Sequence, residues 1–363
     1  MMFTCAPAGM GSGSASASAR RGRVVRKGNK SLRVDIHCHY NNPDAEAMVA
    51  HLNPIQHEPL FKFSNPPTRE VNKKQAQDRT PQLSTIEVRL KDMDKMGIDI
   101  QAVSPAPNQY FYWTEPDLGR QLARKINDRL AEIVAQWPDR FVALGTVPLQ
   151  NADFAVAELE RCVKSLGLRG IEINTNVNGQ NLTDDALGLD KVFAKAQELD
   201  VVIFMHPGGF SHADRLTRHY FNNVIGNPLE TTIAVSHLIF DGVLDRYPKL
   251  KFVTAHGGGF LSFYPARMDH AHGARPDCRL TIKKKPTSYL KKFHFDTITF
   301  DRTMLRTLID TYGADHVLLG TDYPYDMGMY KPVEFIDGVP KLGRDDKARI
   351  MGGNAARLLK IKR

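Results

Sequence analysis

At 363 residues, with 42% hydrophobic and 9% aromatic side chains, the chain has material for a large buried core, which excludes a wholly disordered protein. The net charge of +9 is concentrated in one segment: Arg20, Arg21, Arg23, Arg26, Lys27, Lys30 and Arg33 supply seven positive charges with no acid among them, leaving +2 for the rest. That ordinary balance, with no basic stretch interleaved with aromatics on the body, speaks against a nucleic-acid partner.

Residues 1–30 are Gly/Ala/Ser-rich and then Arg-rich, without an apolar core of the signal-peptide kind, and read as a disordered basic tail. A targeting presequence shares that composition, but no amphipathic pattern supports one. The body, 31–363, opens with a β-rich run, LRVDIHC (32–38). Residues 41–84 are polar and Pro-containing, fit no strand–helix unit, and are expected as a long insertion, a lid over the mouth of the fold. An amphipathic helix, TIEVRLKDMDKMG (85–97), stops on Gly97. Strand candidates then alternate with helical patterns. They are IDIQAVS (98–104), a helix over 117–138, FVALGTV (141–147), a helix over 151–167, RGIEINT (169–175) and a helix over 185–200. VVIFMH (201–206), a helix over 231–248, KFVTAH (251–256), FHFDT (293–297), a helix over 302–313 and VLLGTD (317–322) complete the series. Eight such strands, most of them apolar on both faces, predict an α/β fold of the (β/α)8 TIM-barrel type. An open doubly wound sheet is the rival, but no glycine-rich phosphate turn follows the first strand.

The cysteines Cys5, Cys38, Cys162 and Cys278 lie far apart with no C-x-x-C pair, which argues for reduced thiols and a cytoplasmic home. No apolar run reaches the ~18 residues needed to span a bilayer, so no membrane partner is expected.

Barrel chemistry gathers at the C-terminal ends of strands, and here those ends read HCH, MH, AH and GTD. His37 and His39 alternate onto one face of strand one, about 7 Å apart at their Cα atoms, so both can grip one cation. His206 ends strand five, His256 ends strand six and Asp322 ends strand eight, each after an apolar run. Taken singly, each histidine reads equally well as a satisfied core residue. Their joint placement decides for a metal centre, because a buried carboxylate in such a place needs a cation or several donors.

The order VDIHCH, HPGG, HGGG and GTDYP resembles the amidohydrolase superfamily, and within it the branch of 2-amino-3-carboxymuconate-6-semialdehyde decarboxylase and the aromatic-acid decarboxylases. The likeness covers roughly residues 32–360 and includes LKDMDKMGIDIQAVS, RFVALGTVPLQ, FDTITFD and IMGGNAARLL. It implies that His37, His39, His206 and Asp322 bind one divalent metal ion and that His256 is the general acid/base. It also implies that Arg267, eleven residues after His256, holds a substrate carboxylate, in some relatives across a subunit boundary; otherwise Arg267 is a surface residue. RGIEINT lacks the lysine that bridges two metals in many amidohydrolases, which favours a single ion, zinc before manganese. Glu172 in that run is either a partner of the metal ligands or a polar filler. Gly208 and Gly209 stand where decarboxylases of this branch often have a bulky aromatic, and the family's second arginine has no aligned counterpart, Arg79 lying nearby.

The resemblance thus implies non-oxidative decarboxylation of an unsaturated or aromatic carboxylic acid, in aromatic compound catabolism, by a homodimer. Its rival is hydrolysis or hydration of a lactone, amide or double bond at the same site, which no residue excludes. Tyr110, Phe111, Tyr112 and Trp113 either wall the substrate or pack beneath the insertion.

Overall fold

The computed structural model describes residues 31–362. The expected tail, 1–30, lies outside the described residues. Eight parallel strands carry the body: β1 (Val34–Tyr40), β2 (Ile100–Pro105), β3 (Phe141–Ala143), β4 (Gly170–Ile173), β5 (Val202–Met205), β6 (Lys251–Thr254), β7 (His294–Asp296) and β8 (Val317–Leu318). They form two sheets, β1-β2-β3 and β8-β7-β6-β5-β4. At one seam Glu172 N–H donates to Gly145 O at 2.7 Å; at the other Ile36 N–H donates to Leu319 O at 2.9 Å and His39 N–H to Tyr323 O at 2.8 Å. A small antiparallel pair, Asn176–Val177 with Gln180–Asn181, follows β4.

Alternation sorts the strand residues between two cores. Val34, Ile36, Ala102 and Val142 of the first sheet share a buried cluster with Val202, Phe204, Val253 and Leu318 of the second. The intervening residues, among them Val103, Ile203, Phe252 and Phe295, pack outward with the helices. A strand buried on both faces must be apolar on both, as the sequence pattern required.

The insertion contains no strand, but it is mostly helical. Pro43–Val49 and Pro59–Lys62 precede the long helix α1 (Pro66–Ser84), which begins where the Asn65 side chain accepts the Thr68 N–H and Pro66 occupies the first turn. Of α1's residues only Leu83 is buried, so the helix has no apolar stripe for a sequence reading to detect. The other principal helices are α2 (Ile86–Met96), α3 (Pro116–Gln136), α4 (Ala152–Lys164), α5 (Asp190–Leu199), α6 (Asn227–Phe240), α7 (Ala266–Ala274) and α8 (Arg302–Tyr312). Gly97 closes α2 at φ 74°, and side-chain oxygens of Asn151 and Asp301 cap α4 and α8. Among the described residues no helix is long and apolar enough to cross a membrane.

Candidate metal centre

The strand ends bring four ligand-type side chains into one place. His37 and His39 come from β1, His206 from the residue after β5, and Asp322 from the turn after β8. One ligand atom from each lies within 4.8 Å of every other, and all four residues are buried. The Nε2 atoms of His37 and His39 are 3.1 Å apart, and Asp322 Oδ1 is 3.3 Å and 3.1 Å from them.

Hydrogen bonding shows what these atoms require. His37 Nδ1 meets Asp296 Oδ2 at 2.6 Å, which makes Nδ1 the protonated nitrogen and turns the Nε2 lone pair inward. His39 Nδ1 faces the Pro105 carbonyl at 3.4 Å, orienting its Nε2 the same way. Both ring nitrogens of His206 are buried without a partner. Lone pairs turned on one another and on a carboxylate repel, and buried orphan nitrogens are costly. A divalent cation among them satisfies all four at once, so the residues fit a single metal ion.

The electrostatics agree. Burial works to depress His37, but Asp322 and then Asp296 hold it well above the ordinary histidine range, so without a cation a proton is drawn into the cluster. Burial, aided by His39 and His37, holds His206 well below its usual value and so neutral, the state a ligand needs. For Asp322, burial pushes upward but is outweighed by His37 and the other imidazoles, which keep the carboxyl well below its usual range.

His256 stands beside this group. Its Nε2 is 3.7 Å from Asp322 Oδ2, its ring centroid is 5.0 Å from that of His206, and its Nδ1 has no partner. The residue adopts φ 55°, in the left-handed region that costs a non-glycine residue about 1–3 kcal/mol. Asp296 anchors the turn, accepting the His256 N–H at 2.9 Å and the Gly257 N–H at 2.8 Å. Gly257, Gly258 and Gly259 follow at φ 62°, 83° and 68°, and a Cβ on Gly259 would sit 2.5 Å from Pro228 O, so this loop admits only glycine.

The sequence reading passed over Asp296, although FHFDT ends an apolar run on a carboxylate just as LLGTD does. It also passed over Asp35 and Arg89. Asp35 accepts from His37 N–H, Thr321 N–H, Thr321 Oγ1 and Gln101 Nε2, tying β1 to β2 and to the turn that carries Asp322. Arg89, fully buried on α2, donates to His39 O, to Gln101 at 3.1 Å and to Gln82 O at 3.2 Å. Glu172 is buried and accepts from Tyr110 OH at 2.6 Å, while its Oε1 lies 3.9 Å from His39 Nδ1, beyond a hydrogen bond.

The centre opens into a cavity of about 160 Å³ lined by His206, His256, Asp322 and Tyr325 together with Glu58, Leu60, Asn72 and Gln75 of the insertion. Arg267 is exposed near the start of α7 and outside this cavity. Arg79 is outside it too, its guanidinium lying 5.8 Å from the centre of the Tyr330 ring. The aromatic run packs beneath the insertion at one point, where Trp113 stacks on His57 at 4.3 Å.

Residues 34–361 match the amidohydrolase family model. The chain belongs to the amidohydrolase family. Its curated relatives include the 2-amino-3-carboxymuconate-6-semialdehyde decarboxylase of Dictyostelium discoideum, 36% identical over 274 residues covering 75% of this chain and 76% of that protein. A gamma-resorcylate decarboxylase of Rhizobium is 31% identical over 290 residues, covering 76% and 87%. Among solved structures of this amidohydrolase type, 5-carboxyvanillate decarboxylase from Sphingomonas paucimobilis matches with a TM-score of 0.82 at 28% identity, covering 92% of this chain and all of that one. A dihydroxybenzoic acid decarboxylase from Polaromonas, solved with manganese and the inhibitor 2-nitroresorcinol, matches with a TM-score of 0.75 at 25% identity, covering 92% and 98%.

Proposed function

We propose that this chain is a metal-dependent, non-oxidative decarboxylase of an unsaturated or aromatic carboxylic acid. The observation that carries it is the convergence of three imidazoles and Asp322 around one cation position, with His256 alongside in the same cavity. The named relatives, which catalyse decarboxylation, separate this reading from hydrolysis or hydration on the same ligand set.

His37, His39, His206 and Asp322 hold one divalent ion. Three nitrogens and one oxygen suit zinc, whereas the Polaromonas enzyme holds manganese, so zinc is the first ion to test. The bound ion supplies positive charge that polarises the substrate's oxygens and stabilises the negative charge left as carbon dioxide departs. His256 moves the proton: the carbon–carboxylate bond breaks, its electron pair stays on the substrate carbon, and an imidazole N–H delivers the proton there. Asp296 keeps the His256 turn in place throughout.

Four wider readings accompany this one. The two sheets constitute a single (β/α)8 barrel, supported by the seam hydrogen bonds and by the interior cluster drawn from both sheets. The insertion, 41–84, acts as a lid, since its residues line the cavity. The enzyme works as a homodimer in which Arg267 reaches the partner's cavity to hold a carboxylate by its planar fork. An apolar groove lined by the exposed Val224, Phe260, Phe300 and Met304 runs up to His256 and offers such a partner a surface. Cys38, Cys162 and Cys278 are free, in keeping with work in the cytoplasm.

The test is a panel of conjugated and aromatic acids on protein of known metal content, followed by ultraviolet absorbance and carbon dioxide release. Release that a chelator abolishes and added zinc or manganese restores is expected. Consumption of an acid without carbon dioxide would overturn decarboxylation.

A further inference from the structure

A second cavity, of about 360 Å³, adjoins the metal cavity. Glu58, Pro107 and Gly208 line both. The metal cavity alone is small against the roughly 300–1,000 Å³ of ordinary ligand pockets, whereas the two together fall within that range.

Gly208 is the telling position in the partition. Its neighbour Gly209 must be glycine, with φ 94° and a Cβ that would lie 3.0 Å from the Leu60 backbone nitrogen. Nothing comparable holds for Gly208, whose φ is outside the left-handed region and whose added Cβ would meet the Asn174 side chain no closer than 3.4 Å, an ordinary contact. The backbone there tolerates a side chain, so what its absence provides is open space between the cavities.

The far cavity is built for an acceptor. Tyr112 is 4% exposed and its buried hydroxyl has no hydrogen-bond partner among the described residues. Lys62 forms no ion pair among the described residues. His57, stacked on Trp113, supplies a flat aromatic wall, and Asn178 adds an amide. Burial, opposed by the Trp113 indole, pushes the Glu58 carboxyl up to about 8, so at neutral pH the partition adds little negative charge to repel an anion.

We propose that the substrate is a two-armed acid: its reacting ring or diene occupies the metal cavity, and a second arm ending in a carboxylate or other acceptor passes Gly208 to reach Tyr112 and Lys62. This rests on the metal-centre reading above and specifies the substrate class of that site.

Binding to the metal-loaded full chain tests it without turnover. The probes are 2-nitroresorcinol and the same ring bearing a propanoate arm at the carbon opposite the nitro group, titrated calorimetrically with and without metal. The armed probe is expected to bind at least about tenfold more tightly than the compact one, equivalent to ~1.4 kcal/mol. Gly208→Trp, which fills the passage, should bring that ratio to one or below. Tyr112→Phe and Lys62→Gln should each cut it several-fold, keeping the test valid should the tryptophan variant misfold. Metal-dependent binding of the compact probe with no gain from the arm would overturn this inference alone. Absence of metal-dependent binding by either probe would overturn the metal-centre reading and this one with it.

Discussion

At the scale of single residues, the decisive groups differ in what they do for the metal. His256 touches the cavity but is not needed as a ligand, so His256→Ala should leave metal content near stoichiometric while carbon dioxide release falls by about 10²–10⁴-fold. Asp296 bonds His37, the backbone of the His256 turn and the Ile298 N–H. Asp296→Asn offers an amide N–H where those donors need an acceptor, and should weaken metal affinity by about 10–100-fold. Metal analysis and competition with a chelating dye distinguish the two; metal loss in the alanine variant would make His256 a ligand. The four expected ligands were legible because His37 and His39 alternate onto one face of a strand and His206 and Asp322 each follow an apolar run, where a polar group needs a reason to be buried. Asp296 carried the same signal, but its role depends on meeting a ring from 259 residues earlier, and no local pattern reveals that. Arg267 is legible only as a spacing from His256, and one chain's geometry leaves it exposed outside the cavity.

At the scale of elements, the strand–helix alternation was readable because packing imposes it: strands covered on both sides must be apolar throughout, and the helices that cover them must be amphipathic. The insertion lacked that signature, since α1 buries almost nothing; its helices Pro43–Val49 and α1 start instead at side-chain caps from Asn42 and Asn65. Strand β8 is shorter than VLLGTD suggested because the chain leaves the sheet to turn Asp322, at φ 55°, toward the histidines. Arg89 joins three elements, bonding β1 at His39, β2 at Gln101 and the end of α1 at Gln82, with its guanidinium 4.9 Å from the centre of the Tyr323 ring. Arg89→Met removes every one of those donors and strands buried acceptors. A loss of about 3–5 kcal/mol is expected, read as a lower denaturant midpoint at unchanged slope, with weaker metal retention because the His39 end of β1 is freed.

At the scale of the whole molecule, the homodimer proposed above has a consequence that a single chain would not. If Arg267 serves the partner's cavity, His256→Ala and Arg267→Ala are each inactive alone, yet mixing and re-equilibrating them should restore about a quarter of wild-type turnover. Half of the random dimers are hybrids, and each hybrid has one intact site under two-fold symmetry. No recovery, with hybrid formation verified by mass, would assign Arg267 to its own chain or to none. The seam that joins β1 to the segment after β8 has a different consequence, one that concerns synthesis. Ile36 and His39 receive their backbone acceptors from Leu319 and Tyr323, and Asp322 lies between those two. While the ribosome is still making the intervening chain, β1 waits with an open edge of the kind that invites pairing with other chains. A nascent or prematurely terminated chain therefore holds His37 and His39 but no catalyst, and is most prone to aggregate in the interval before its last strand emerges.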